Sequence, residues 1–346
     1  MANTQDQGKQ VAKGNEPFVS IIIPTYNRAK MLGITIESFI TQSYPKDKYE
    51  IIVSDNNSSD NTREVVEEWQ GKATVPIRYL FEGRQGVHYA RNTAAKAAIG
   101  DILYFTDDDM IAANSLLLEL VKVFALDPKI GTATGIVLPK FDTEPPKWIT
   151  KYLINVNLSL TDKNKREELI ISADDCGIYS CHQAIKRDVF FKSGGFNPEN
   201  TAGVWIGDGE TGLNIKIRNF GYKFAYTSKS VIYHIIPESR MTLKYLIKRI
   251  GNQGFCDSYT EYRSHRKQNK IIFSMLRRNT IVFAYRLGAM LLSIALGHLS
   301  WHFIPAQIMY MHKRNIYDMK LYTNEKFRKL VEIDNWLDNE SNMSEF

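Results

Sequence analysis

The first third of the chain alternates between two hydrophobic rhythms. Short, continuous apolar runs rich in β-branched residues occur at Val19–Ile23, Tyr49–Val53, Ile77–Phe81 and Ile102–Phe105. Runs of this length predict strands buried on both faces. Between them, apolar residues recur at helical spacing. Met31, Leu32, Ile34, Ile36, Phe39 and Ile40 mark a first helix. Val65, Val66 and Trp69 mark a second, with Asn61 and Glu64 in a capping-box-like start. Val87 to Ala98 and Ser115 to Leu126 complete the set. Alternating strands and helices with short connections predict a doubly wound, mostly parallel α/β sheet of Rossmann-like kind. Such sheets bind ligands outside the carboxyl ends of their strands. The polar clusters sit at those ends: Pro24-Thr25-Tyr26-Asn27-Arg28, then Asp55-Asn56-Asn57, then Thr106-Asp107-Asp108-Asp109.

The pattern changes farther on. From Pro139 to Asp175 the periodicity fades, and Pro145-Pro146-Lys147-Trp148 and the charged run Asp162–Glu168 suggest loops and short helices. Order returns between Gly177 and Phe191; a helix is expected from Glu210 to Phe220, ended by Gly221, and a strand at Val231–His234. Leu287 to Met311 contains no Lys, Arg, Asp or Glu, although Ser293, His298, Ser300, His302, Pro305 and Gln307 interrupt it. A membrane span needs roughly 20 predominantly apolar residues. The stretch can be read as one span, as a membrane-surface or re-entrant helical pair, or as buried helices. Basic residues on both flanks (Arg277, Arg278, Lys313, Arg314) favour the surface pair.

Composition refines this picture at three points. With 346 residues, 44% of them hydrophobic, the chain can bury a large α/β core and carry an appendage. The division expected is a disordered tail at 1–17, the α/β domain at 18–242 and a helical, basic and apolar region at 243–346. The net charge of +6 is concentrated after Lys244, which suggests an anionic partner. No RNP signature or paired zinc-ligand pattern is present, so an anionic membrane surface is expected rather than nucleic acid. The cysteines Cys176, Cys181 and Cys256 are odd in number, and the polar residues through Glu16 form no apolar signal segment. Both observations point to free thiols in a reducing compartment, at the cytoplasmic face of a membrane.

The sharpest chemical feature is Asp107-Asp108-Asp109. Three adjacent carboxylates at a strand end repel one another unless a positive charge offsets them. A hard cation such as Mg²⁺ or Mn²⁺, bound also by pyrophosphate oxygens, would do so. A solvated acidic turn capping the next helix is the plainer alternative.

Several segments, in order, resemble family 2 glycosyltransferases. Ser20–Arg28 looks like that family's opening strand and loop, Ile51–Thr62 like its second strand and nucleoside loop, and Gly86–Asn92 like its glycine–alanine–arginine–asparagine helix start. Asp107-Asp108-Asp109 matches its DxD motif, while Gly194-Gly195-Phe196 and Gly209-Glu210-Thr211 resemble its acceptor-side motifs. The resemblance runs from Val19 to Thr242. It implies a GT-A fold and inverting transfer from a nucleotide sugar, a UDP-sugar first among them, to a glycan or lipid-linked hydroxyl.

The resemblance also implies roles. Pro24, Thr25, Tyr26 and Arg28 would embrace the nucleotide, with Asp55 or Asn56 at the base edge. Arg91, Asp107 and Asp108 would complete the donor site, Asp107 on the ribose. Asp109 would bind the metal, and His234 either joins it or is a hydrogen-bonded strand-end histidine. A general base on the far side of the sugar is needed for direct displacement. Glu210 and Asp208 are the candidates, Glu210 first; both can also serve the helix N-terminus. Trp148 and Trp205 could stack on an acceptor or pack in the core, and His182 and Gln183 could touch the donor sugar. A sugar-nucleotide pyrophosphorylase would show a Gly-rich loop after the first strand, and a dinucleotide oxidoreductase a GxGxxG; neither is present. A catalytically silent sugar-nucleotide-binding or scaffold protein is the remaining alternative, opposed by the intact Asp107, Asp109 and Glu210.

Overall fold

The structure is a computed structural model that describes residues 16–152, 158–161, 167–265 and 271–338. The expected disordered tail falls outside the described residues up to position 15, as does most of the charged run Asp162–Glu168.

The apolar runs form strands as expected. In chain order they are β1 (Val19–Thr25), β2 (Tyr49–Asp55), β3 (Ile77–Phe81), β4 (Ile102–Thr106), β5 (Met110–Ala112), β6 (Ile130–Phe141), β7 (Leu169–Ser172), β8 (His182–Lys186), β9 (Asn200–Thr201), β10 (Val204–Trp205) and β11 (Lys223–Ile236). The main sheet runs β3-β2-β1-β4-β8-β6-β11-β5, with β7 also paired to β11. The β1–β2, β1–β4, β2–β3 and β6–β11 pairs are parallel. β8 lies antiparallel between β4 and β6. β6 and the full length of β11 were not legible from periodicity. Every residue of β1, β2 and β4 is buried, which is why these strands read as unbroken apolar runs.

Helices cover both faces. Ala29–Ile40 packs Leu32, Ile36 and Phe39 under one face, with Ile21, Ile23, Ile51 and Val53. On the other face Ala94, Ala95 and Ala98 pack with Ile22, Ile52, Leu103 and Phe105. Burying each of the Leu, Ile, Val and Phe side chains here is worth about 1.5–3 kcal/mol. The helix Thr62–Lys72 departs from expectation at its start. Asn61 makes no side-chain cap; Asp60 Oδ1 instead accepts from the Thr62 N–H at 3.2 Å.

After β11 the chain is helical. Leu243–His265 lies against Phe303–Thr323, and Glu325–Val331 follows. A third core of Ile206, Tyr259, Tyr317, Phe327 and Trp336 welds these helices to the sheet domain. Between them Ile271–Arg277 packs through Ile271 into that core, while no residue of Phe283–Ala295 is buried.

β1 leads toward β2 on one side, while β4 leads to strands on the other. The carboxyl ends of β1 and β4 therefore border the sheet's topological switch point, where a crevice opens.

Candidate active site

Two loops build one wall of that crevice. Asn27 and Asn57 both adopt left-handed backbone (φ 52° and 68°), a conformation asparagine tolerates better than other side chains. The loops are stitched together there: Ser59 N–H donates to Asn27 Oδ1 at 2.7 Å, and Asn27 N–H donates to Ser58 Oγ at 2.9 Å. Asp60 Oδ2 accepts the Ala29 N–H at the start of the helix after β1. The loop after β1 thus presents Pro24, Thr25, Tyr26 and Arg28 to a cavity of about 650 Å³. That volume suits a small-molecule ligand. Tyr26 stands half exposed at its rim.

Asn56 also lines the cavity, but its side chain shapes the neighbouring loop. Its amide donates to the Glu82 and Arg84 carbonyls, and its Oδ1 accepts from the Gly86 N–H at 2.7 Å. Gly86 has φ +148°, and a Cβ there would meet the buried His88 ring at 2.9 Å. Asp55 is set back behind the wall. Its oxygens accept from Ser58 N–H (2.9 Å) and Tyr79 O–H (2.7 Å).

The three acids after β4 each have a distinct partner. Arg91, buried on the helix Val87–Ala97, donates to Asp107 Oδ1 at 2.7 Å. Asp108 accepts from Thr25 (2.8 Å) and Arg28 (2.9 Å). Burial and the adjacent Asp109 push its carboxyl up to about 6 against the pull of Arg28. Asp109 accepts through Oδ2 from Arg28 (3.1 Å) and Arg240 (2.8 Å), with His234 Nε2 at 3.6 Å. Burial opposes its charge, and the Arg240 and Arg28 guanidinium groups favour it. The mutual repulsion expected from sequence is therefore offset partly by guanidinium groups.

Asp109 and His234 have the chemistry of metal ligands. Asp109 Oδ1 is buried, and among the described residues no donor reaches it. His234 Nδ1 faces the Leu158 carbonyl at 2.9 Å and so carries the ring proton. Nε2 then offers its lone pair, which the Arg240 guanidinium meets at 2.6 Å. A backbone carbonyl fixing the tautomer in this way is the usual support of a metal-binding histidine. Among the described residues no cluster of three or more His, Cys, Asp or Glu surrounds a single point. Asp109 and His234 would thus hold a cation as a pair, with donor phosphate oxygens and water as further ligands.

Along the same cavity the two candidate bases separate. Asp208 is buried, and both its oxygens are taken: Oδ1 by the Asn197 amide at 3.0 Å, Oδ2 by Thr260 at 2.8 Å. Glu210, at the start of the helix Glu210–Asn219, lines the same cavity and, among the described residues, accepts one long 3.3 Å bond from Ser180. Trp205 lines the cavity near them. Trp148 stacks on His302 at 4.4 Å, 8° from parallel, and is absent from the cavity wall. His182 and Gln183 are fully buried within the sheet, bonded to Tyr104 and to Thr132 and Asn214, so neither faces a donor sugar.

Sequence reasoning missed Glu199, Arg240 and Arg249, all on the cavity wall. Glu199 shows itself only through the backbone at Gly209. Gly209 has φ +55°, and a Cβ there would lie 2.0 Å from Glu199 Oε1. The carboxylate of Glu199 fills the space a side chain at 209 would need.

Burial and the nearby Glu210 push Glu199 up to about 7. Its folded value lies above the unfolded one of about 4.3, so its stabilising share is complete below about pH 4.3. That share is lost as pH rises through about 7. Glu199→Gln should melt close to the wild type at pH 4 and several degrees above it at pH 8. Calorimetry at the two pH values checks this; a Tm difference independent of pH would refute it.

Comparison with known proteins supplies the family. The model of "Glycosyl transferase family 2" matches residues 20–192. Glycosyltransferase AglE of Haloferax volcanii is 42% identical over 94 residues, 27% of this chain and 31% of its own length. The validoxylamine A glucosyltransferase of Streptomyces hygroscopicus subsp. jinggangensis is 36% identical over 33% of this chain and 27% of its own. In Methanococcus voltae, a dolichyl N-acetyl-α-D-glucosaminyl phosphate 3-β-D-2,3-diacetamido-2,3-dideoxy-β-D-glucuronosyltransferase is 34% identical over 35% of this chain and 39% of its own. The matches thus span about a quarter to two fifths of these relatives. The solved structure of the mannosyltransferase PcManGT from Pyrobaculum calidifontis, in complex with GDP-Man and Mn²⁺, has a TM-score of 0.56 and 20% identity, covering 94% of this chain and 89% of that one. That likeness shows the GT-A fold expected from sequence. With the family model fitting from β1 through β8, the chain belongs to glycosyl transferase family 2.

Proposed function

We propose that the protein is an inverting, metal-dependent glycosyltransferase that moves a sugar from a nucleotide-sugar donor to a glycan or lipid-linked hydroxyl. The observation that carries this reading is the shared cavity. The β1 loop, the Asp107–Asp109 cluster and Glu210, whose carboxylate meets only Ser180 among the described residues, line one cavity. Donor and acceptor groups can therefore meet between a leaving-group site and a base.

The nucleotide lies along Pro24, Thr25 and Tyr26, with Asn56 shaping the floor and Asp107, held by Arg91, turned toward the ribose. Asp109 and His234 hold Mg²⁺ or Mn²⁺. Bound there, the cation supplies Lewis-acid stabilisation of the departing diphosphate. Arg28 adds positive charge beside the same phosphates. Glu210 takes the proton of the acceptor hydroxyl as it attacks the anomeric carbon from the face opposite the leaving group, which inverts that centre. Asp208 fixes the acceptor wall through Asn197 and Thr260. Trp205 offers an aromatic face for the acceptor sugar.

A panel of nucleotide sugars, each with and without Mn²⁺, tests the donor assignment by thermal shift, since a ligand of the folded state raises Tm. One nucleotide sugar should stabilise the protein, and more so with Mn²⁺. No shift with any member of the panel would refute the reading.

The acceptor side works at an anionic membrane surface. No described helix is long and apolar enough to cross a membrane. No residue of the helix Phe283–Ala295 is buried, and Phe273, Ile281, Tyr285, Leu292, Leu296 and Trp301 are all exposed. Clusters of exposed apolar side chains of this kind mark interaction or membrane surfaces. The charge pattern differs in part from the expectation: Arg278 pairs with Asp318 and Arg314 with Glu261, so both face inward, while Arg277 and Arg286 are exposed. The protein should co-sediment with anionic liposomes, less so at high salt, where screening shortens charge attraction. Leu292→Glu with Leu296→Glu should leave it in the supernatant. Wild-type protein that stays in the supernatant at low salt would refute membrane docking.

A further inference from the structure

Arg240 closes the short turn Glu238–Arg240 between β11 and the helix Leu243–His265. Its guanidinium donates to Asp109 Oδ2 at 2.8 Å and to His234 Nε2 at 2.6 Å. These are the two side chains whose free electron pairs suit a divalent cation. The lone pair of Nε2 is single, so it serves either the guanidinium or a cation. A cation bound at Asp109 Oδ1 would also lie within a few ångströms of Arg240 and be repelled by it.

The charge balance points the same way. Asp107 is matched by Arg91 and Asp108 chiefly by Arg28, which leaves Arg240 as the main counter-charge of Asp109. A divalent cation entering alone would leave the cluster with excess positive charge and evict a guanidinium with no acceptor to go to. A diphosphate entering with the cation removes both costs. Its oxygens bind the cation, and they offer the planar, bidentate acceptor that a guanidinium prefers. Arg240 need only swing its side chain, because the adjoining helix already lines the same cavity with Tyr245, Arg249 and Asn252.

We propose that Arg240 is an internal competitor for the divalent cation, released from Asp109 and His234 only when a nucleoside diphosphate arrives to receive it. This competition presupposes the metal site described under the proposed function. It makes cation and nucleotide binding mutually reinforcing, and by linkage each must strengthen the other by the same factor.

The test is Mn²⁺ binding, followed by the electron paramagnetic resonance of the free ion, with no transfer reaction involved. Wild-type protein, Arg240→Gln and Arg240→Lys are titrated alone and with UDP or GDP. The wild type should bind Mn²⁺ weakly alone and roughly tenfold or more tightly with one of the nucleotides, the factor expected of one charge-assisted hydrogen bond. Arg240→Gln should bind Mn²⁺ alone roughly tenfold more tightly than the wild type, with a correspondingly smaller gain from nucleotide. Arg240→Lys, whose single ammonium cannot span both acceptors equally well, should fall between, and it carries the comparison if the Gln variant unfolds. Variants that bind Mn²⁺ no more tightly than the wild type, with the same nucleotide gain, overturn the role of Arg240 and leave the metal site standing. A wild type that binds no Mn²⁺ even with nucleotide overturns both.

Discussion

Glu210→Gln should slow glycosyl transfer by ~10²–10⁴-fold while leaving donor and Mn²⁺ affinity nearly unchanged, the signature of a lost general base. Glutamine keeps the size of the side chain and can still accept from Ser180, but it cannot take the acceptor's proton. The comparison that gives this result its meaning is Asp208→Asn. Both oxygens of Asp208 accept hydrogen bonds, from Asn197 and Thr260, in a buried setting. An amide there can still accept from Asn197, but its N–H₂ then faces the Thr260 hydroxyl, which must turn from donor to acceptor, and the charge-assisted bond lost costs about 1–3 kcal/mol. Asp208→Asn should therefore lower Tm more than it lowers turnover. Turnover, donor affinity and Tm measured side by side decide the matter. If Asp208→Asn is the inactive, well-folded variant and Glu210→Gln turns over normally, the base is Asp208.

Asp109→Ala should abolish the effect of Mn²⁺ on donor binding and lower transfer by roughly 10³-fold or more, the rate equivalent of several kcal/mol of lost leaving-group stabilisation. The same substitution strips Arg240 and Arg28 of a shared acceptor. Asp108→Ala should be milder in turnover, because Asp108 spends its oxygens on Thr25 and Arg28 rather than on the open face of the cavity. Its effect should fall on Tm and on KM for the donor. Excess chelator should reproduce the Asp109→Ala defect in the wild type. Full turnover in chelator would remove the cation from the reaction, and an equal loss at Asp108 would move the ligand role one residue.

The half of the fold that carries the donor site was legible because it is written in local patterns. β1, β2 and β4 are buried on both faces, so hydrophobicity alone marks them, and the polar residues at their carboxyl ends had to share one edge of the sheet. β6 and β11 were harder. β11 carries Thr227, Ser228, Lys229 and Ser230 in mid-strand, at an irregularity in its register with β6, and that interrupts the apolar signal. Arg240 could not be read at all: it meets Asp109 across 131 positions, through a turn whose direction no local pattern states. Glu199 was hidden for a related reason. Only the backbone at Gly209, curled to positive φ, shows that a carboxylate from another segment takes the place of a side chain. The exposed helix Phe283–Ala295 shows the reverse limit, since an apolar sequence predicts burial without saying in what.

The last described segment ties back to the sheet domain: Trp336 N–H donates to the Gly194 carbonyl at 3.0 Å, and Leu337 packs among Phe196 and Leu213. The consequence concerns time. A ribosome delivers β1 through β11 well before Trp336, so the sheet with its acid cluster can assemble while the Gly194–Glu210 wall still lacks its backing. Synthesis from the amino end then makes the donor half of the crevice first and the acceptor half last.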